Sequence, residues 1–228
     1  MSSLTELYDR LTDRLRAAGD WIWPLGLRLI MFAEFWKAGQ MKLGAGLCEK
    51  GEFAGSGAPC WFAGKQFPPP FDWLPASLNW SMVAWSETIF AALLLVGLFT
   101  RFAAFSLVIV TTIAIVSTHW PADWSSLAEL WKGYAVSDKG FGNYRIPLLF
   151  TVILLPLIFQ GGGKLSIDHL ILKLTQRGDL IHERKGDFFA LSLALLIPGV
   201  VFLYLIPLWG IILLLGAAGA AVYQIVAA

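Results

Sequence analysis

Six stretches of this chain are apolar over about the length that crosses a bilayer, and nothing else constrains its fold as strongly. A membrane helix needs roughly 20 apolar residues, because each residue rises ~1.5 Å and the hydrocarbon core is ~30 Å thick. Residues 24–43, 79–99, 102–120 and 144–160 qualify. Residues 188–226 are long enough for two more helices, with Pro198 and Pro207 interrupting them and Pro207 marking the connection. Only 14% of the 228 residues are charged and mean hydropathy is +0.66, which fits a bundle in lipid better than a soluble domain. The expectation is an all-α, polytopic transmembrane protein. A net charge of +1 gives no reason to expect a nucleic-acid partner.

The first 20 residues are polar and mixed in charge, without the apolar core of a signal peptide. Leu4, Leu7, Leu11 and Leu15 recur at spacings of three and four, which predicts a short amphipathic helix before the first span. The organisation expected is therefore an amino-terminal segment 1–23, a four-helix membrane domain 24–172 with two outer loops, a linker 173–187 and a helical hairpin 188–228. With the amino terminus inside, inner segments carry Arg10, Arg14, Arg16, Arg101, Lys164, Lys173, Arg177, Arg184 and Lys185. The outer ones carry Lys42, Lys50, Lys65, Lys132 and Lys139. Nine against five favours a cytoplasmic amino terminus in the inner membrane. Thr100 and Arg101 are the expected turn between spans two and three. Short surface helices are expected around Trp124, Leu127 and Trp131, and around residues 165–174.

Charges inside the apolar runs point to a site. Glu34 and Lys37 lie in the first run and Glu87 in the second. A charge in lipid is costly, so such residues usually face a protein interior and a partner. Counting helical rise puts Lys37 and Glu87 each ~10 Å below the outer boundary, with His119 and Arg145 near the surface at the ends of two further spans. One outward-facing polar pocket is expected from these residues, or else an ion-pair network that only fixes helix packing. Arg28, near the inner boundary, is expected to snorkel. Cys48 and Cys60 share an outer loop, where an oxidising compartment favours a structural disulfide over a redox pair. Neither cysteine stands in a C-x-x-C, and two thiols without clustered histidines give no reason to expect a bound metal. Gly161-Gly162-Gly163-Lys164 lacks the full phosphate-loop pattern and is expected to stop a helix. Gly39 and Gly97 are expected to allow close helix packing.

Taken together, LRLIMFAEFWKAGQMKL, the block SETIFAALLLVGLFTRFAAFSLVIVTTIAIVSTHW and the exit FQGGGKLSIDHLI resemble the DoxX family of small bacterial membrane proteins. EFWKAGQMKL, HWPADW and GYAVSDKGFGNY further resemble a branch encoded with enzymes that make metal-binding modified peptides. The resemblance implies a four-helix core in the inner membrane and, for some members, quinone-linked sulfur or thiol oxidation. It carries the family's polar residues onto Glu34, Lys37, Glu87, Arg101 and His119. The added 188–226 segment is expected to dock a partner or form a homo-oligomer. The leading expectation is a subunit of a quinone-linked redox system. Glu87, supported by Glu34, would exchange protons, and Lys37, His119, Arg145 and Arg101 would hold a quinone or small reductant. The alternative is a non-catalytic adaptor or export partner for an oxidoreductase or a metal-binding modified peptide. Whether the chain is itself an enzyme stays open at this point.

Overall fold

A computed structural model of the chain describes residues 2–44, 60–176 and 187–227, and these are helical with no strand among them. Helix α1 runs over Ser2–Gly44, and the short α2 (Cys60–Ala63) precedes α3 (Ala76–Val96). Helix α4 (Thr100–Ala114) ends in a π turn, Ile115–His119. Then come α5 (Leu127–Lys132), α6 (Arg145–Gln160), α7 (Ile167–Leu174), α8 (Phe188–Leu205) and α9 (Pro207–Ala227). Ala76–Val96, Thr100–His119, Phe188–Leu205 and Pro207–Val226 are long and apolar enough to cross a membrane, so the chain is a multi-pass membrane protein. The Cys48–Cys60 bridge lies outside the described residues, because Cys48 and the side chain of Cys60 are not among them.

The described residues fall into two compact units. One draws on Met1–Gly64, Pro75–Val110 and Leu149–Gln176, the other on Lys65–Leu74, Thr111–Leu148 and Arg177–Ala228.

In the first unit the amino-terminal segment does not form a separate helix. It continues without a break into the expected first span, with Pro24 inside the 43-residue α1. Proline has no N–H, so the carbonyl of Asp20 four residues earlier loses its helical partner. The backbone N–H of Lys164 donates to that carbonyl at 3.2 Å. Gly163, at φ +74, makes this approach possible, since a Cβ there would collide with Asp20 and Pro24. The glycine-rich exit of α6 thus stops the helix and also repairs α1.

Residues 24–43 of α1 hold four charges, Arg28, Glu34, Lys37 and Lys42, too many for hydropathy alone to mark a span. Packing supplies the argument instead. Pro24, Arg28, Met31, Phe35 and Gly39 are buried at spacings of three and four, and this stripe lies along α3. Gly39 is the close contact, because a Cβ there would sit on the Thr88 hydroxyl and within 3.1 Å of the Ala84 carbonyl. Phe35 adds a ring contact to Phe150 of α6 at 5.6 Å.

The turn between α3 and α4 is not Thr100-Arg101 but Gly97–Phe99. Gly97 adopts φ +70, its N–H donates to Leu94 O, and Leu98 N–H donates to Leu93 O. Paired 5→2 and 6→1 bonds of this kind end a helix on a left-handed glycine, so the chain reverses at Gly97 and leaves Thr100 free to begin α4.

In the second unit, α8 and α9 form the expected hairpin. Helix α8 keeps Pro198 within it, and the break comes at Ile206, with Pro207 opening α9 where its missing N–H costs nothing. Gly210 lets α9 start directly against the backbone of Phe202 and Leu203.

Candidate functional sites

The first candidate site lies on the α1–α3 seam. Glu87 is 8% exposed at its side chain, and Lys42 Nζ donates to its Oε2 at 2.6 Å. The seam explains the pairing. Lys42 continues the stripe Arg28, Met31, Phe35, Gly39 by one more step of three, so the contact made at Gly39 carries Lys42 to α3. The Thr88 hydroxyl, packed against Gly39, donates to Ala84 O at 2.9 Å and so keeps no free polar atom in the contact. The Lys42 side chain is 22% exposed, so the pair is only partly covered. Chemically this is a carboxylate able to exchange a proton beside an ammonium able to hold an oxygen atom.

Glu34 and Lys37 are not brought to Glu87. They share a different, exposed face of α1 with Ile30 and Met41. Lys42, which sequence reading places among the outer-loop cations, takes the position expected for Lys37. The spacing 28, 31, 35, 39, 42 was the available signal.

A second charged cluster ties the Gly97 end of the first unit together. Arg28 is 1% exposed and does not snorkel. Its Nε donates to Leu94 O at 2.7 Å and its Nη2 to Leu95 O at 2.7 Å. Its Nη1 donates to Gly162 O at 2.9 Å and Leu165 O at 2.7 Å. The last turn of a helix leaves carbonyls unpaired, and one guanidinium serves those of α3 together with those of the loop after α6. Arg101 does the same for α6, donating to Ile158 O and Phe159 O at 2.6 Å each. Asp168 works in the opposite sense. Its carboxylate accepts from Phe99 N at 2.7 Å and Thr100 N at 2.8 Å, capping the amino end of α4 from α7. Beside it, burial and then the Lys173 and Lys164 charges hold His169 below its usual pKa. Arg28 and Asp168 have their bonding groups occupied by backbone, and Arg101 joins them through Nη1, which is the chemistry of a clamp.

The second unit holds the other two expected residues. The π turn widens the end of α4, with Trp120 N–H reaching back to Ile115 O at 2.7 Å, and such turns recur at functional sites. It leaves His119 half-buried with Nδ1 2.7 Å from Asn143 Oδ1, while Asn143 N–H donates to His119 O at 3.0 Å. In the neutral tautomer that donates from Nδ1 to this amide oxygen, the lone pair is at Nε2. Gly142, at φ +82, lets this loop press against His119 and Pro121. Tyr144 donates to Leu130 O at 2.8 Å and packs on Trp120, and the exposed Arg145 lies 5.4 Å from the Tyr134 ring. Helix α5 is capped by Ser126, whose hydroxyl accepts from Glu129 N. Glu129 accepts in turn from the Ser125 hydroxyl and amide, which lowers its pKa. Among the described residues no cluster of His, Cys, Asp and Glu could hold a metal ion.

The DoxX family model matches residues 23–120, which hold Arg28, Lys42, Glu87, Arg101 and His119. The chain belongs to the DoxX family. A second model, "TQO small subunit DoxD", matches residues 73–183 and so takes in the Gly97 turn, α6 and α7. An uncharacterized protein of Haemophilus influenzae is 47% identical over 116 residues, which are 50% of this chain and 68% of that relative. No solved structure matches the chain. The α8–α9 hairpin lies beyond both DoxX-type matches.

Proposed function

We propose that this DoxX-family protein is an inner-membrane subunit of a quinone-linked redox system, with its amino terminus in the cytoplasm. The observation that carries the reading is the Lys42–Glu87 pair, a buried, ionisable carboxylate on a membrane helix whose ammonium partner is partly exposed. The likeness to a "TQO small subunit" supports the redox setting and a partner oxidoreductase chain. The orientation gains support from Lys42 itself. Withdrawn into the seam, it leaves four of the five outer cations counted from sequence, against nine inner ones.

The residues fit a quinone by donor type, an ammonium for a carbonyl oxygen and a carboxylate for a proton. A bound quinone supplies two-electron, two-proton chemistry. Lys42 would hold a quinone oxygen with its ammonium, and Glu87 would exchange protons there, accepting one as the carboxylate and donating one as the carboxylic acid. Arg28, Arg101 and Asp168 hold the helix ends while this happens. His119, oriented by Asn143, is a proton acceptor at Nε2 on the outer side, and Arg145 is a cation for an oxygen-bearing group there.

The test is quinone reduction driven by an electron donor in membranes containing the full chain. Glu87→Gln is expected to abolish it while the amount of inserted protein stays unchanged. Equal activity in the variant would overturn the role. The apolar hairpin outside the matched region favours a second reading, an adaptor for an oxidoreductase or a modified peptide. In that case deleting residues 188–228 would matter and Glu87→Gln would not.

A further inference from the structure

Helix α1 carries charge on two faces, and among the described residues only one of them is matched by an ion pair. Ile30, Glu34, Lys37 and Met41 follow at spacings of four, three and four, and all are exposed. Their depth is fixed by what flanks them. Arg28 bonds Leu94 and Leu95, and Gly39 lies against Ala84 and Thr88, so Glu34 and Lys37 run beside the interior of α3 rather than beyond its end. The ion pairs among the described residues join Arg10 to Glu6, Arg16 to Asp13 and Lys42 to Glu87, and none includes Glu34 or Lys37. An acid and a base exposed at span depth are a liability in lipid until something of opposite charge covers them.

We propose that a second copy of this chain covers them, α1 against α1, through two reciprocal ion pairs between Glu34 of one copy and Lys37 of the other. Charge complementarity selects this occupant. The face holds one acid and one base three residues apart, ~4.5 Å along the axis, within reach of long side chains. Two copies inserted the same way are related by a two-fold axis along the bilayer normal, which sets their α1 helices side by side and parallel. An interface of that symmetry is self-complementary, so each Glu34 meets the Lys37 of the other copy and the pair forms twice. Gly26 lies next to the stripe, and a Cβ there would touch nothing within 4 Å inside the chain. Internal packing does not require that glycine, whereas close approach of a second membrane helix does.

The experiment uses full-length chains labelled with a fluorescent donor or acceptor, in phosphatidylethanolamine–phosphatidylglycerol vesicles at increasing lipid dilution. Energy transfer is expected for the wild type, and E34K or K37E alone should weaken association roughly tenfold or more, by placing like charges together. Mixing E34K donors with K37E acceptors makes every charge across the interface opposite, and is expected to restore transfer. The double variant E34K/K37E keeps every charge type and guards against misfolding. It is expected to associate with itself and to reject wild-type copies. Absence of wild-type transfer at every dilution would overturn the proposal. So would a double variant that pairs with wild type as well as with itself, the result expected if Glu34 and Lys37 only pair along their own helix.

Discussion

Arg28 and Glu87 are both charged, both buried and both held on the seam between α1 and α3, yet they are satisfied in opposite ways. Arg28 spends its guanidinium on four backbone carbonyls from α3 and the loop after α6. Glu87 has one strong partner, the side chain of Lys42, which is itself partly open. Backbone carbonyls at a helix end cannot move without unwinding the helix, whereas a lysine has four rotatable bonds and can leave. A buried charge tied to backbone therefore acts as a clamp, whereas one tied to a single flexible side chain can change partner, which is what the proposed site requires. The same chain uses each where its chemistry fits.

Removing the clamp should have the largest effect. Arg28→Met removes the guanidinium from four carbonyls, of which only Leu94 O keeps another donor, Gly97 N–H, and is expected to cost at least about 3 kcal/mol. Thermal unfolding in detergent would register this as loss of a folded species, and Arg28→Lys should not rescue it, because an ammonium cannot span four carbonyls. An Arg28→Lys variant of wild-type stability would break the comparison. Next comes Asp168→Ala, which frees the first amides of α4, with an expected cost of about 1–2 kcal/mol. Hydrogen exchange at Thr100–Phe102 would report it, and Glu87→Gln should leave those amides protected.

The smallest effect concerns α5. Glu129 is held below its usual pKa chiefly by the Ser125 hydroxyl, so the capping it provides is complete above the ordinary carboxylate range. That capping is lost as the pH falls through the lowered value. Acidification should therefore expose the amides of 127–132 to exchange before those of α3, which a clamp or a site elsewhere would not cause.

Much of this architecture was legible from run length and punctuation. Pro207 and the triple glycine at 161–163 begin and end helices where the sequence has them, and Leu127 and Trp131 do fall in a short helix, whereas Gly97, read from sequence only as a packing glycine, is where α3 ends. The join of the amino-terminal segment to α1 was not legible, because its repair comes from Lys164, 144 residues beyond Asp20. Arg28 was misjudged for the same reason. Its partners lie 66 to 137 residues away and are backbone atoms, which no side-chain pattern announces. Lys42 was a different kind of miss. Its place at the end of the 24–43 run had it counted with the outer cations, while its place in the 28, 31, 35, 39 series put it on the seam, and packing decided between them.

Native mass spectrometry of the full chain released gently from its own membrane tests the central claim most directly. A quinone retained by the wild type and by Asp168→Ala, and lost in both Glu87→Gln and Lys42→Met, is the result predicted for a site separate from the clamp. A quinone that stays bound when Glu87 and Lys42 are both altered, or a wild-type protein that carries none, would contradict it.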